Sequence, residues 1–83
     1  MEIKVLGTGC PKCRKLFEEV GKALAVAGVA ADVEKVEDIT RILEFDVMMT
    51  PALVINGQVK SSGRVPNVPE MAAWITAAAA AEG

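Results

Sequence analysis

The chain has 83 residues, a mass of 8.7 kDa and a formal charge of −2, with 52% apolar and 24% charged residues. That length fits one domain, residues 1–83, and excludes a second; a chain of this size buries roughly 60% of its unfolded surface, enough for a modest core. The acidic balance argues against a basic face for nucleic acid, and no stretch reaches the ~20 strongly apolar residues of a membrane span.

Residues Glu2 to Leu6 are an aliphatic and β-branched run that ends at Gly7-Thr8-Gly9, the pattern of a strand and a loop. No charged and apolar leader of the secretory kind precedes it, so a small soluble cytoplasmic monomer is expected. Pro11 suits the first turn of a helix, where its missing N–H is not needed. Leu16, Phe17, Val20, Ala23, Leu24 and Ala27 then draw one apolar stripe, and Gly28 is a natural C-cap. Ala30 to Val36 reads as an edge strand. Asp38 is placed to cap a short helix with Ile39, Ile42 and Leu43 turned inward.

Pro51 precedes Ala52 to Ile55, a short and fully apolar strand. Asn56-Gly57 is the strongest hairpin signal in the chain, which makes Gln58 to Ser62 a returning strand at a sheet edge. Asn67 caps a last helix with Pro69 in its first turn and Met71, Trp74, Ile75 and Ala78 as its buried stripe. The alanine run from Ala77 to Ala81 reads as a frayed helical tail. The order is β-α-β-α-β-β-α. Two strands joined through a helix are parallel, and the hairpin strands are antiparallel.

The chemistry is narrowed by what is missing. There is no histidine, no tyrosine, and only two cysteines, Cys10 and Cys13. Serine–histidine and cysteine–histidine catalysis are excluded, as is a closed four-ligand zinc site within one chain made from cysteine and histidine alone. Cys10-Pro11-Lys12-Cys13 sits between a first strand and a first helix, where a Cys-x-x-Cys pair reads as a redox motif. Residues three apart in a first helical turn share a face, so the two sulfurs can bond. A cysteine at a helix start also meets unpaired N–H groups and the positive dipole end, which favour the thiolate; Pro11 opens that turn, and Lys12, Arg14 and Lys15 add positive charge. The second reading is a thiolate metal carrier for Cu(I), zinc or arsenite using the same two cysteines, since soft thiolates suit such ions. Copper chaperones place the motif similarly but in a β-α-β-β-α-β order, which this chain does not follow. A third reading is an interaction protein built on a borrowed scaffold.

Three segments carry a resemblance to a known family: Val5-Leu6-Gly7-Thr8-Gly9-Cys10-Pro11-Lys12-Cys13, Val47-Met48-Met49-Thr50-Pro51-Ala52-Leu53-Val54-Ile55-Asn56-Gly57, and Gly63-Arg64-Val65-Pro66. Over nearly its whole length the sequence resembles the thioredoxin superfamily in its smallest form. More narrowly, it is similar to the glutaredoxin-sized small redox-active disulfide proteins of archaea and anaerobic bacteria. The resemblance implies an α/β thioredoxin-like fold, a four-stranded mixed sheet with three helices. It implies Cys10 and Cys13 as the catalytic dithiol and a cis Thr50–Pro51 bond beside them. It implies protein disulfides as substrates, a thioredoxin-reductase-type electron donor and no bound cofactor. Around a cis proline, the backbone of Thr50 is free to pair with an extended peptide, and Met48 and Met49 either line that contact or fill the core beneath the loop.

The chain departs from ordinary thioredoxins at several points. Gly9 replaces the tryptophan before the first cysteine, and Pro-Lys replaces Gly-Pro between the two. The buried acid of the first strand is missing, since residues 3–9 hold no Asp or Glu, so the proton at the second cysteine needs water, Lys12 or another group. Gly63-Arg64-Val65-Pro66 stands in place of the Gly-Gly and acidic residue through which glutaredoxins partly bind glutathione, which argues against glutathione here. Six acids between Asp32 and Asp46 form a solvated face or a charge-selecting surface.

Overall fold

A computed structural model describes residues 1–82. Its elements in chain order are β1 (Glu2–Leu6), α1 (Pro11–Ala27), β2 (Asp32–Val36), α2 (Ile39–Leu43), β3 (Ala52–Ile55), β4 (Gln58–Ser62) and α3 (Val68–Glu82). They form one mixed sheet in the order β2-β1-β3-β4. β1 runs parallel to β2 and antiparallel to β3, and β3 and β4 are antiparallel. The expected thioredoxin-like architecture is the one present.

Strand alternation sorts the core into two halves. Ile3, Val5, Leu53 and Ile55 face α1 and α3, where Leu16, Val20, Ala23, Met71 and Ile75 meet them. Leu6, Ala52 and Val54 point to the other face and pack with Val36, Ile42 and Val47. β3 is therefore covered on both sides, which explains why Ala-Leu-Val-Ile is an unbroken apolar run. Each fully buried Val, Leu or Ile contributes about 1.5–3 kcal/mol relative to exposure.

The punctuation residues act as their chemistry dictates. Gly28 ends α1 in the left-handed region, and its N–H and that of Val29 satisfy the last carbonyls of the helix. Asp38 caps α2 through Thr40 N, and Asn67 caps α3 through Glu70 N, both at 2.8 Å. Asn56 and Gly57 both have positive φ, as a two-residue hairpin of the primed type requires. Asn56 also accepts from Glu2 N through its side chain at 3.0 Å and donates its own N–H to Glu2 O at 2.8 Å.

Three expectations are corrected. α2 turns only Ile42 inward, while Ile39 and Leu43 are 61% and 62% exposed; a helix of five residues has one inward position here, and Val47 and Phe45 fill the space instead. β2 begins at Asp32 rather than Ala30, because pairing starts where Asp32 N reaches Met1 O. Trp74 and Ala78 are only half-buried at the margin of the core, whereas Ala72 is buried. The alanine tail is continuous helix to Glu82.

Candidate active site

The loop after β1 and the start of α1 lie at one end of the sheet. Gly7 N donates to Val36 O at 3.0 Å, so the loop leaves β1 still tied to the end of β2. Gly9 then turns the chain at φ +84°, a conformation that side chains disfavour. Cys10 follows in extended geometry as the N-cap of α1, with Pro11 in the first turn.

Cys10 Sγ accepts the backbone N–H of Cys13 at 3.2 Å, and Cys10 O accepts from Arg14 N at 3.1 Å. The sulfur thus occupies the place of a capping oxygen, aimed at the helix's unpaired N–H groups. The first turn has no acidic residue, and Lys12, Arg14 and Lys15 are exposed around it. Cys10 and Cys13 form a disulfide, with Cα atoms 5.1 Å apart. The two sulfurs differ in access: Cys10 is half-buried, while Cys13 is 6% exposed and faces inward. A pair so arranged can exchange its disulfide with an outside sulfur through Cys10 and close again through Cys13.

The Thr50–Pro51 peptide is cis. A β-carbon at Gly7 would overlap Cys13 Sγ and would stand 3.8 Å from Thr50 Cβ, so the absence of a side chain at Gly7 leaves the space in which Cys13 and Thr50 come close. Pro51 is buried, and its carbonyl accepts from Gly63 N at 2.8 Å. Thr50 is exposed, and among the described residues its backbone makes no hydrogen bond to another backbone group. Met49 lies over Gly63, where a β-carbon would come within 3.2 Å of it; the glycine permits both the turn at φ +77° and that close approach. Met48 and Met49 are 95% and 62% exposed beside the site.

The structure therefore brings together Cys10, Cys13, Thr50 and Pro51, with Met49 at the rim and Pro11 and Lys12 on the exposed helix start. Gly7 was missed as a site residue, and so was a cleft of about 250 Å³ that opens on Cys13 between α1 and β2. The signal for the cleft was topological. Parallel strands end on the same side, so the residues after β2 come beside the loop after β1.

Comparison with known proteins shows the family of the chain. A family model described as a thioredoxin domain matches residues 1–76. The chain belongs to the thioredoxin family. It is similar to a thioredoxin of Methanocaldococcus jannaschii, 38% identical over 69 residues, which cover 83% of this chain and 79% of that one. It is also similar to a thioredoxin of Methanothermobacter thermautotrophicus, 34% identical over 71 residues, covering 86% and 92% of the two chains. Membership makes the protein an enzyme of the thioredoxin class, a protein disulfide oxidoreductase. No helix among the described residues is long and apolar enough to cross a membrane.

Proposed function

We propose that the chain, working as a single cytoplasmic domain and a monomer, reduces protein disulfides through a mixed disulfide on Cys10. The Cys10 thiolate attacks one sulfur of a substrate disulfide, forming a new S–S bond and expelling the other sulfur as thiolate. Cys13, once deprotonated, attacks Cys10; the Cys10–substrate bond breaks and the substrate leaves as a second thiolate. Two electrons have passed to the substrate, and Cys10–Cys13 is oxidised. A thioredoxin-reductase-type donor returns two electrons, and the cycle uses no bound cofactor.

The observation that carries this reading is the placement of Cys10 Sγ as the cap of α1, more open than Cys13. The helix end, Pro11 and Lys12 favour the attacking thiolate. The unpaired backbone of Thr50, beside Pro51 and with Met49 at its rim, supports docking of an extended peptide across Cys10 by strand addition.

Insulin reduction tests the proposal with a chemical reductant as donor. The wild type is expected to accelerate the reaction, Cys10→Ser to abolish the acceleration, and Cys13→Ser to accumulate mixed disulfides that dithiothreitol releases. A Cys10→Ser variant as active as the wild type overturns the reading.

A further inference from the structure

The second half of the cycle poses a problem that the cysteine pair alone does not solve. Cys13 is buried, enters the step as a thiol, and must lose its proton before it can attack. β1 and the loop after it hold no carboxylate between residues 3 and 9. The cleft described above reaches Cys13 from the side of β2, and its walls include Gly7, Gly9, Arg14, Lys35 and Glu37.

Glu37 is the one carboxylate among these lining residues. It follows Val36, whose carbonyl is held by Gly7 N at 3.0 Å, so its backbone is tied to the loop that carries Cys10. Its Oε2 lies 3.2 Å from where a β-carbon on Gly9 would stand. The path from Glu37 to Cys13 therefore runs past two residues with no side chain, Gly9 and Gly7. The cleft has room for several waters at roughly 30 Å³ each. Glu37 forms no ion pair and accepts no side-chain hydrogen bond among the described residues, whereas Glu19, Glu34 and Glu70 are each paired. The cations at the cleft are Arg14 from α1 and Lys35 from β2, the latter with its Nζ 4.4 Å above the Phe17 ring.

We propose that Glu37 accepts the proton of Cys13, through water in this cleft, during release of the substrate. The inference rests on the mixed-disulfide reading above. In the step, the Cys13 S–H bond breaks and its proton passes through water to the Glu37 carboxylate. The Cys13 electron pair forms the bond to Cys10 Sγ. The Cys10–substrate bond breaks, and its electron pair leaves on the substrate sulfur. The proton on Glu37 then returns to the departing thiolate or to solvent, so no external oxidant or reductant enters.

Charge alone predicts the opposite effect of removing this carboxylate. A negative charge near Cys13 disfavours its thiolate, so deleting the charge would speed the attack if Glu37 acted only through its field. A proton acceptor, when deleted, slows it. The reduced protein is mixed with dithionitrobenzoate in a stopped-flow instrument; the first thionitrobenzoate released reports capture by Cys10 and the second reports attack by Cys13. Glu37→Gln is expected to slow the second phase roughly a hundredfold near neutral pH. The deficit closes as the pH rises above the ordinary thiol range and Cys13 ionises unaided, and Glu37→Asp recovers part of the rate. A second phase that is unchanged or faster in Glu37→Gln overturns the role of Glu37. Absence of the first phase in the wild type overturns the mixed-disulfide reading instead.

Discussion

Gly7 packs against Cys13 so closely that a β-carbon at residue 7 would overlap the Cys13 sulfur. The constraint is space, not backbone conformation, since Gly7 is not among the residues with positive φ. The inner sulfur is thereby held between α1 and the loop after β1, beside Thr50.

Gly7→Ala is expected to push Cys13 off its position. The cost is that of overpacking a filled site, about 1–3 kcal/mol, and closure of the disulfide slows as well. Urea denaturation of the oxidised protein measures the first effect and thiol trapping during reoxidation the second. Wild-type values for both would mean that the loop yields without effort.

Lys12→Glu places a negative charge in the first turn of α1, close to the N-cap sulfur. The substitution weakens the field that favours the Cys10 thiolate, so the pH at which Cys10 ionises in the reduced protein rises. Thiolate absorbance against pH reads the change directly. The rise shrinks in high salt, because Lys12 is exposed and the interaction is screened.

Ser61 offers a stabilising change. Its Oγ is buried with no hydrogen-bond partner among the described residues, on β4 opposite Leu53. Ser61→Ala removes the unmet hydroxyl without opening a cavity larger than one atom, and a gain of about 1 kcal/mol is expected. Denaturant midpoints at equal slope provide the check, and a loss of stability would mean that the hydroxyl is hydrogen-bonded in solution.

Acid should weaken the fold in part through three surface carboxylates. The Arg64 guanidinium donates to Glu70 at 3.1 and 3.0 Å and holds its carboxyl below the ordinary value; Arg41 does the same to Glu34, and Lys22 to Glu19. A carboxyl lowered on folding contributes stability that is present above its unfolded value, near 4.5, and is lost as the pH falls through the lower folded value. Glu70→Gln therefore melts slightly below the wild type at neutral pH and merges with it in acid or in concentrated salt. Parallel melting curves across the whole pH range would remove the pair from the account.

The parts of the molecule legible in the sequence are those governed by local chemistry. Pro11 and Gly28 bracket α1, Asn56-Gly57 makes the hairpin, and Asp38 and Asn67 cap their helices, each through its own side chain or backbone. The cysteine pair was legible for the same reason, because its spacing within one helical turn is a local property. Ile39 and Leu43 misled because periodicity shows which residues share a face, but not whether five residues suffice to bury it. The closeness of Thr50 to Gly7 and of Glu37 to the cleft at Cys13 arises from strand order and register, which no single segment encodes. Trp74 shows the limit from the other side: its spacing matched a core position, yet α3 meets the sheet edge there and leaves the ring half-covered.

Glu2 exchanges two hydrogen bonds with Asn56, 54 residues further along the chain. β1 carries the cysteine loop, and it is flanked by β2 on one side and β3 on the other. An emerging polypeptide consequently lacks one of the two neighbours of its first strand until the hairpin has been synthesised, and the entropy of closing so long a loop is met only then. The cysteine spacing belongs to the first turn of α1, but the Thr50 loop comes beside it only once β3 has paired with β1.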